Sequence, residues 1–251
     1  MTQLNWAMVG TGFMAELILK DFALADQTNL AALVSRDPAK AQARLDEFGI
    51  TAKALTFEQA LADEAIDVIY VASPHSEHFG MAKAALEAGK HVLVEKAFTM
   101  DVSEAKALIA LAQQKNLFLM EAMWTKFLPL HNAVKKMIEN GDLGNLVMIE
   151  ANFGAAIPFD DSHRLFNFAL GGGSTLDQGV YTTTLNRWWA DSPIKSRVTH
   201  GKRFSNGSDS HADSTFLFEN GVIGHGISSL SSALGFGARV IGDKASVQLV
   251  G

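Results

Sequence analysis

The 251-residue chain has no cysteine. That excludes disulfides, thiolate zinc sites and a cysteine nucleophile. Prolines number only 5, which rules out a proline-rich scaffold. Basic residues are outnumbered, 21 Lys and Arg against 27 Asp and Glu, and the formal net charge is −6. No basic patch of the kind that tracks a phosphate backbone is visible, so a nucleic-acid partner is disfavoured. No apolar run approaches the roughly 18 residues of a membrane span. The start, Met1-Thr2-Gln3-Leu4-Asn5-Trp6, lacks the charged and apolar regions of a secretion signal. A cytoplasmic protein with no membrane partner is expected. What the chain has is core-forming composition: 48% hydrophobic and 19% charged residues, with 16 Phe against 2 Tyr. At about 150 residues per domain, its length fits one large or two modest domains.

The first half alternates strands and helices. Trp6–Val9 reads as a short strand, followed by Gly10-Thr11-Gly12 and a helical stripe from Phe13 to Leu24 through Leu17, Ile18 and Phe22. Leu30–Val34 is a second strand, and Asp37-Pro38 opens a helix with Pro at its first position. Thr56-x-x-Gln59 and Asp101-x-x-Glu104 are capping boxes, the second heading the stripe Val102, Ala105, Leu108, Ile109 and Ala112. Asp67–Ala72 is a continuous apolar strand, as expected when helices cover both sheet faces. Met81–Ala88 is helical and stops at Gly89, and His91–Val94 and Leu117–Met120 are further strands. This rhythm predicts an α/β, doubly wound parallel sheet over residues 1–121.

The texture changes after Glu121. Phe127–Ile138 is amphipathic, with Phe127, Leu130, Val134, Met137 and Ile138 on one face. Leu146–Phe153 is a longer strand, and Gly171-Gly172-Gly173 precedes a helix from Thr175 to Trp189. Ser205–Ser208 and Asp209–Asp213 read as loop. Phe216–Phe218, Asn220-Gly221 and Val222–Ile227 form a hairpin signal, the Asn-Gly pair suiting a type I′ turn. Arg239–Gly251 reads as two strands that should have neighbours. Residues 122–251 are expected to form a second α+β domain on a mostly antiparallel open sheet.

Gly10-x-Gly12-x-x-Ala15 sits between a strand and a helix, the context that a dinucleotide fingerprint requires. Gly10 permits the tight turn, Gly12 lets backbone approach a pyrophosphate, and Ala15 stands in for the third glycine. Thr11, Phe13 and Met14 belong to the same cofactor-binding turn. An NAD site usually carries Asp or Glu at the end of the second strand, for the ribose hydroxyl. Here Ser35-Arg36 stands there, with Lys40 one turn into the next helix. A hydroxyl and two cations suit a 2′-phosphate, so NADP is expected, with NAD as the alternative. A solvated arginine near a helix start is the other explanation for Arg36.

Four ordered motifs carry a family resemblance over nearly the whole chain. They are Val71-Ala72-Ser73-Pro74-His75-Ser76-Glu77-His78, Val92-Leu93-Val94-Glu95-Lys96, Glu121-Ala122-Met123-Trp124-Thr125-Lys126-Phe127, and the run from Gly171 to Tyr181. Together they resemble the glucose–fructose oxidoreductase/inositol dehydrogenase family of NAD(P)-dependent enzymes. Glu121–Phe127 and the helix tyrosine resemble its dimeric dihydrodiol dehydrogenase branch. The resemblance implies an N-terminal Rossmann domain and a C-terminal domain that binds substrate and forms a homo-oligomer, a dimer, through its sheet. It implies hydride transfer with a small sugar or trans-dihydrodiol. Ser73, Pro74, His75, His78 and Glu95 would line the cofactor, and Arg164 would reach cofactor or substrate. A cofactor-binding regulator on the same fold is the alternative function, but regulators can lose the Lys96/Tyr181 pair that this chain keeps. Two departures stand out. The family commonly has Glu-Lys-Pro where this chain has Glu95-Lys96-Ala97, and members usually run several tens of residues past the position of Gly251.

The chemistry of these residues agrees with the resemblance. Hydride transfer at a carbinol carbon needs a proton partner for its oxygen. Tyr181 has the hydroxyl, but a phenol of ordinary pKa, about 10, is a poor base at neutral pH. A nearby ammonium would correct that, and Lys96 is the candidate, at the carboxyl end of a parallel strand. Asp177, four residues before Tyr181, shares its helix face. Asp177 could orient substrate or hold Lys96; with Ser174 as N-cap it could equally be a helix-capping carboxylate. Trp124 and Phe153 are candidate apolar walls of the substrate pocket, or core. His75 and His78 have an HxxH spacing, but no further ligands accompany them, so no metal is expected.

Overall fold

The computed structural model describes residues 3–250, in two compact units that divide between Ala122 and Met123. In the first unit the order is β1 (Leu4–Val9), α1 (Phe13–Ile18), β2 (Thr28–Val34), α2 (Pro38–Phe48), β3 (Lys53–Leu55) and α3 (Phe57–Ala62). It continues with β4 (Val68–Val71), α4 (His75–Glu87), β5 (His91–Val94), α5 (Val102–Lys115) and β6 (Leu119–Glu121). The six strands lie in the order β3-β2-β1-β4-β5-β6, and every pair is parallel. Strand order reverses between β1 and β4, and a crevice at the carboxyl ends is where such sheets take ligands. The apolar strands are explained by burial on both sides. Ala7, Val9, Ile69, Val71, Val92 and Val94 enter one core, while Met8, Leu33 and Tyr70 enter the other. Each fully buried aliphatic side chain contributes about 1.5–3 kcal/mol.

Local signals set the helix starts. The Asp37 carboxylate accepts from Ala39 N at 3.1 Å, with Pro38 at the first helical position. At Thr56 both bonds of the capping box form. Asp101 accepts from Ser103 N and Glu104 N, but Glu104 reaches back one residue further than a capping box, to Met100 N at 3.0 Å. Two expectations change, and one strand had not been read. The stripe from Phe13 is not one helix: α1 stops at Ile18, and a 3-10 turn over Asp21–Ala23 brings Phe22 edge-on to Trp6. β3 is three residues long, too short to show a period. α4 begins at His75, not Met81, because Pro74 at its N-cap hands the chain directly into the helix.

The second unit opens with a 3-10 turn over Trp124–Phe127, then α6 (Pro129–Glu139) and β7 (Leu146–Gly154). A π-helical turn over Thr175–Gly179 leads into α7 (Val180–Ala190). Five strands follow: β8 (Ile194–Arg203), β9 (Asp209–Phe218), β10 (Ile223–Ser229), β11 (Gly235–Gly242) and β12 (Ser246–Val250). The sheet order is β12-β11-β7-β10-β9-β8, parallel between β7 and β10 and antiparallel elsewhere. Leu185 and Trp189 of α7 and Val134 of α6 pack with Ile149, Ala151, Phe216, Phe218 and Val240 on one face of the sheet. The other face carries Thr215, His225, Glu150, Arg239 and Gln248 in one register row.

Here too tertiary packing overrode local pattern. On α6 the buried positions are His131 and Val134, while Phe127 and Leu130 are exposed. His131 takes the inward place because its ring packs against Trp189 and Phe236 and its Nδ1 donates to Thr125 O at 3.1 Å. Asp209–Asp213 is strand, not loop, since it pairs with both β8 and β10. The β9–β10 hairpin forms, but residues 219–222 connect its strands without a type I′ turn. Gly221 has φ +87°, Asn220 is not left-handed, and Gly221 N donates to Phe218 O at 3.0 Å. That is a type I turn closed by a left-handed glycine. Of the two C-terminal strands, β11 pairs with β7 and β12 lies at the sheet edge.

Candidate active site

In the first unit the proposed cofactor residues gather at the carboxyl ends of β1, β2, β4 and β5. Gly10 has φ +122°, and a Cβ there would come within 2.7 Å of Ala72 O. The β1 turn is thus pressed against the end of β4, which only glycine allows. At Gly12 a Cβ would meet nothing within 4 Å, so the turn faces open space where a phosphate could approach. Phe13 is exposed and Met14 packs on the core under β1. Ser35 follows β2, its hydroxyl accepting from Asp37 N at 3.3 Å, and Arg36 and Lys40 are exposed beside it. A cavity of about 370 Å3 is lined by Thr11, Lys40, Ala43, Arg44 and Glu47. Arg44 is a residue that sequence reasoning missed. It is one turn beyond Lys40, reaches Thr11 O at 3.4 Å, and is paired with Glu16 and Glu47 at 2.9 and 2.8 Å. Those two carboxylates pair with its charge, whereas Arg36 and Lys40 are exposed.

Lys96 sits in a loop whose main chain is held at successive points. Glu95 Oε2 accepts from Lys96 N at 3.2 Å, and Glu95 Oε1 accepts from the Tyr70 hydroxyl at 2.5 Å. His75 Nε2 lies 3.2 Å from Lys96 O, and His78 Nδ1 lies 2.8 Å from Ala97 O. Glu121 Oε1 accepts from Phe98 N at 3.0 Å. The Lys96–Ala97 peptide is cis. The buried Glu95 carboxylate and both histidine rings therefore turn toward protein groups, and they frame the loop that presents Lys96. Tyr70 and Glu121 belong to that frame; Glu121 opens one of the motifs, and Tyr70 carried no signal beyond its place in an apolar strand. Among the described residues no group of three metal-ligating side chains gathers around the two histidines.

His78 is fully buried, with its second nitrogen, Nε2, 2.9 Å from Ser73 O. A neutral imidazole has one N–H and can satisfy only one of these two carbonyls. Protonation would satisfy both, yet burial opposes the charge and wins, holding the pKa below the usual histidine value. The unfolded chain therefore takes up this proton first as pH falls below about 6.5, and stability falls with it. Thermal melts between pH 7.5 and 5.5 are expected to show Tm dropping toward acid, with a shallower slope in His78→Gln. An identical slope in the variant would mean that His78 does not carry the effect.

The second unit brings others of the predicted residues together among themselves. Trp124 Nε1 donates to the Tyr181 hydroxyl oxygen at 2.9 Å. Phe153 packs on the Tyr181 ring with centroids 5.3 Å apart, and Phe236 packs on Phe153 at 5.3 Å. Tyr181 is buried, on the first turn of α7. Asp177 and Arg164 also meet, Arg164 Nη1 to Asp177 Oδ1 at 3.3 Å. The capping role expected for Ser174 and Asp177 is filled differently. Asp209 Oδ2, from the start of β9, accepts from Ser174 Oγ, Thr175 N and Thr175 Oγ1 at 2.6, 2.7 and 2.8 Å. Gly173, at φ +133°, makes room for that carboxylate, with which any Cβ would collide. Asp177 is thereby released from the cap to pair with Arg164, on a π-helical turn, a feature frequent at functional sites.

A parallel sheet with a glycine turn at its switch point, followed by a largely antiparallel sheet, has the form of a dinucleotide-binding fold with a second, sheet-built unit. Residues 4–123 match the oxidoreductase family with an NAD-binding Rossmann fold, and residues 131–248 match the GFO/IDH/MocA C-terminal domain. The chain belongs to the GFO/IDH/MocA family. It is 39% identical over 204 residues to the D-xylose 1-dehydrogenase (NADP(+)) of Hypocrea jecorina, a match covering 72% of this chain and 51% of that protein. It is 30% identical over 255 residues to human trans-1,2-dihydrobenzene-1,2-diol dehydrogenase, covering 98% of this chain and 74% of the relative. The chain thus spans about half the length of the first relative and about three quarters of the second. Among solved structures, aldose-aldose oxidoreductase from Caulobacter crescentus complexed with glycerol aligns with a TM-score of 0.91 at 27% identity. That alignment covers 98% of this chain and 76% of the other. No helix among the described residues is long and apolar enough to cross a membrane.

Proposed function

We propose that this protein is an NADP-dependent oxidoreductase acting on a cyclic hydroxyl or carbonyl compound of the sugar or trans-dihydrodiol class. The observation that carries this reading is the clustering of Trp124 and Phe153 on the buried Tyr181, with the phenol oxygen already in a hydrogen bond. The names of the relatives support the substrate class. The residues of the first unit fit the cofactor: Gly10 occupies a place where a Cβ would strike Ala72 O, and Gly12 leaves the turn open. Gly10, Thr11, Gly12 and Met14 would hold the pyrophosphate, Ser35, Arg36 and Lys40 the 2′-phosphate, and Ser73, Pro74 and His75 the nicotinamide end. When bound there, the nicotinamide would supply the hydride acceptor for oxidation and the hydride donor for reduction.

The chain's own groups handle the proton. Tyr181 takes a proton from the substrate hydroxyl in oxidation and returns it to the carbonyl oxygen in reduction. Lys96, as an ammonium, favours the phenolate form of Tyr181 and orients the reacting oxygen. Asp177 and Arg164, held to each other, offer a carboxylate and a guanidinium to neighbouring substrate hydroxyls. Trp124 and Phe153 present apolar faces to the ring of the substrate and exclude water.

The test is a panel of D-xylose, other sugars and trans-dihydrodiols with NADP, and the matching carbonyls with NADPH, read by nicotinamide absorbance. Turnover with a sugar or a dihydrodiol is expected; tight cofactor binding with no turnover on the panel would favour a sensor. Arg36→Ala should weaken NADPH binding and leave NADH nearly unchanged. A charge-assisted phosphate contact is worth about 1.5–3 kcal/mol, so a loss of about 10–100-fold is expected. Equal losses for both cofactors would remove Arg36 from the 2′-phosphate.

A further inference from the structure

Trp124 does more than line a pocket. Indole has one donor, Nε1–H, and no acceptor. Half of the Trp124 surface remains exposed, at 53%, yet its single polar atom is turned onto the phenol oxygen of buried Tyr181, 2.9 Å away. The two rings meet at 73° with centroids 6.0 Å apart, an edge-on approach that aims the N–H at the oxygen instead of stacking the faces. Phe153 packs against the same phenol, at 49° and 5.3 Å, and fixes the ring between them. We propose that Trp124 is a positioning residue for Tyr181, whose N–H orients the phenol oxygen and favours its charged form. This rests on the reading of Tyr181 as the proton partner. The physical reason is that a donor binds an anionic oxygen more strongly than a neutral one, so the bond eases loss of the phenol proton.

The neighbours sharpen the assignment. Trp124 and Phe153, which reach Tyr181 from other elements of this unit, carry no charge. Asp177, four residues earlier, is paired with Arg164, so its charge is partly cancelled. Lys96 is the ammonium that the proposed mechanism assigns to the same phenol. Trp124 thus adds a neutral donor to an electrostatic effect supplied by charge.

The chain has only 2 tyrosines, so ζ-carbon-labelled tyrosine gives a two-signal NMR spectrum in which Tyr181 is identified by its loss in Tyr181→Phe. In Trp124→Phe the ionisation midpoint of Tyr181 should rise by about one unit, a tenfold change in proton affinity. Phe153→Leu, which removes a ring and no donor, should leave the midpoint in place. Benzothienylalanine at position 124 keeps the indole shape, replaces N–H by sulfur and should reproduce the Trp124→Phe shift, even where the phenylalanine variant fails to fold. With NADP and a turned-over substrate, the basic limb of the kcat profile should move up in Trp124→Phe while the KM for NADP stays constant. An unchanged midpoint in the N–H-free variants would overturn the proposal and leave Trp124 as a wall. The midpoint shift needs no turnover. A shifted midpoint without activity would refute the oxidoreductase reading alone, and activity without a shift would refute only this one.

Discussion

Tyr181→Phe is expected to lower kcat by about 10²–10⁴-fold, the usual worth of general acid–base catalysis, with NADPH affinity nearly unchanged. Phenylalanine keeps the ring that packs on Phe153 in a buried position, so only the hydroxyl is lost. The Trp124 N–H loses its acceptor, but Trp124 is half exposed and water can replace it. The Tm should therefore move little. In the wild type, the oxidation rate should rise with a basic group titrating below the ordinary phenol value, and the variant should lose that limb. Stopped-flow and steady-state rates from pH 6 to 10 would show it. Normal kcat with the same pH profile would assign Tyr181 to packing and leave the reacting oxygen without its proton partner.

Lys96→Met should remove turnover, by about 10²-fold or more, and leave a folded protein that still binds NADPH. The structure gives a reason for expecting the fold to survive. The contacts that hold this loop run to main-chain atoms, from Glu95 to Lys96 N, from His75 to Lys96 O and from His78 to Ala97 O. Methionine keeps all three and matches most of the side-chain length, so the ammonium is the group removed. Circular dichroism, a thermal melt and cofactor fluorescence separate the two effects. Retained activity would sink the catalytic role of Lys96, and loss of the melting transition would make it structural.

Both variants touch residues that the sequence singled out, and the reasons are chemical and local. Gly10-x-Gly12-x-x-Ala15 between a strand and a helix needs no partner to be read, because the φ of Gly10 and the open space at Gly12 are properties of the turn itself. The run Val68–Val71 announces a strand buried on both faces, His91–Val94 a strand buried on its valine face, and Thr56-x-x-Gln59 its helix start. The hairpin after Phe218 is equally local, closed by Gly221 N donating to Phe218 O and Phe218 N donating to Val222 O. These features depend on residues a few positions apart, so sequence order carries them.

What the sequence by itself determined is the alternation of strands and helices in the first unit and the glycine turn; it also named the candidates for the phenol, the ammonium and the cations after β2. What only the tertiary structure decided is how distant residues serve them. Strand β8, exposed along its whole length, has no burial pattern to betray it and exists because β9 pairs with it. Asp209 caps a helix 34 positions away and so releases Asp177 to Arg164. His75 and His78 turn their rings onto the carbonyls beside Lys96, and Arg44 is neutralised by Glu16 across the glycine turn. Trp124 finds Tyr181 across 57 positions. In each case the partner is chosen by which backbone or side-chain polar group is left in need of a hydrogen bond once the sheets have packed. That accounting is settled in three dimensions, where burial makes an unmatched donor or acceptor costly, and no spacing along the chain records it.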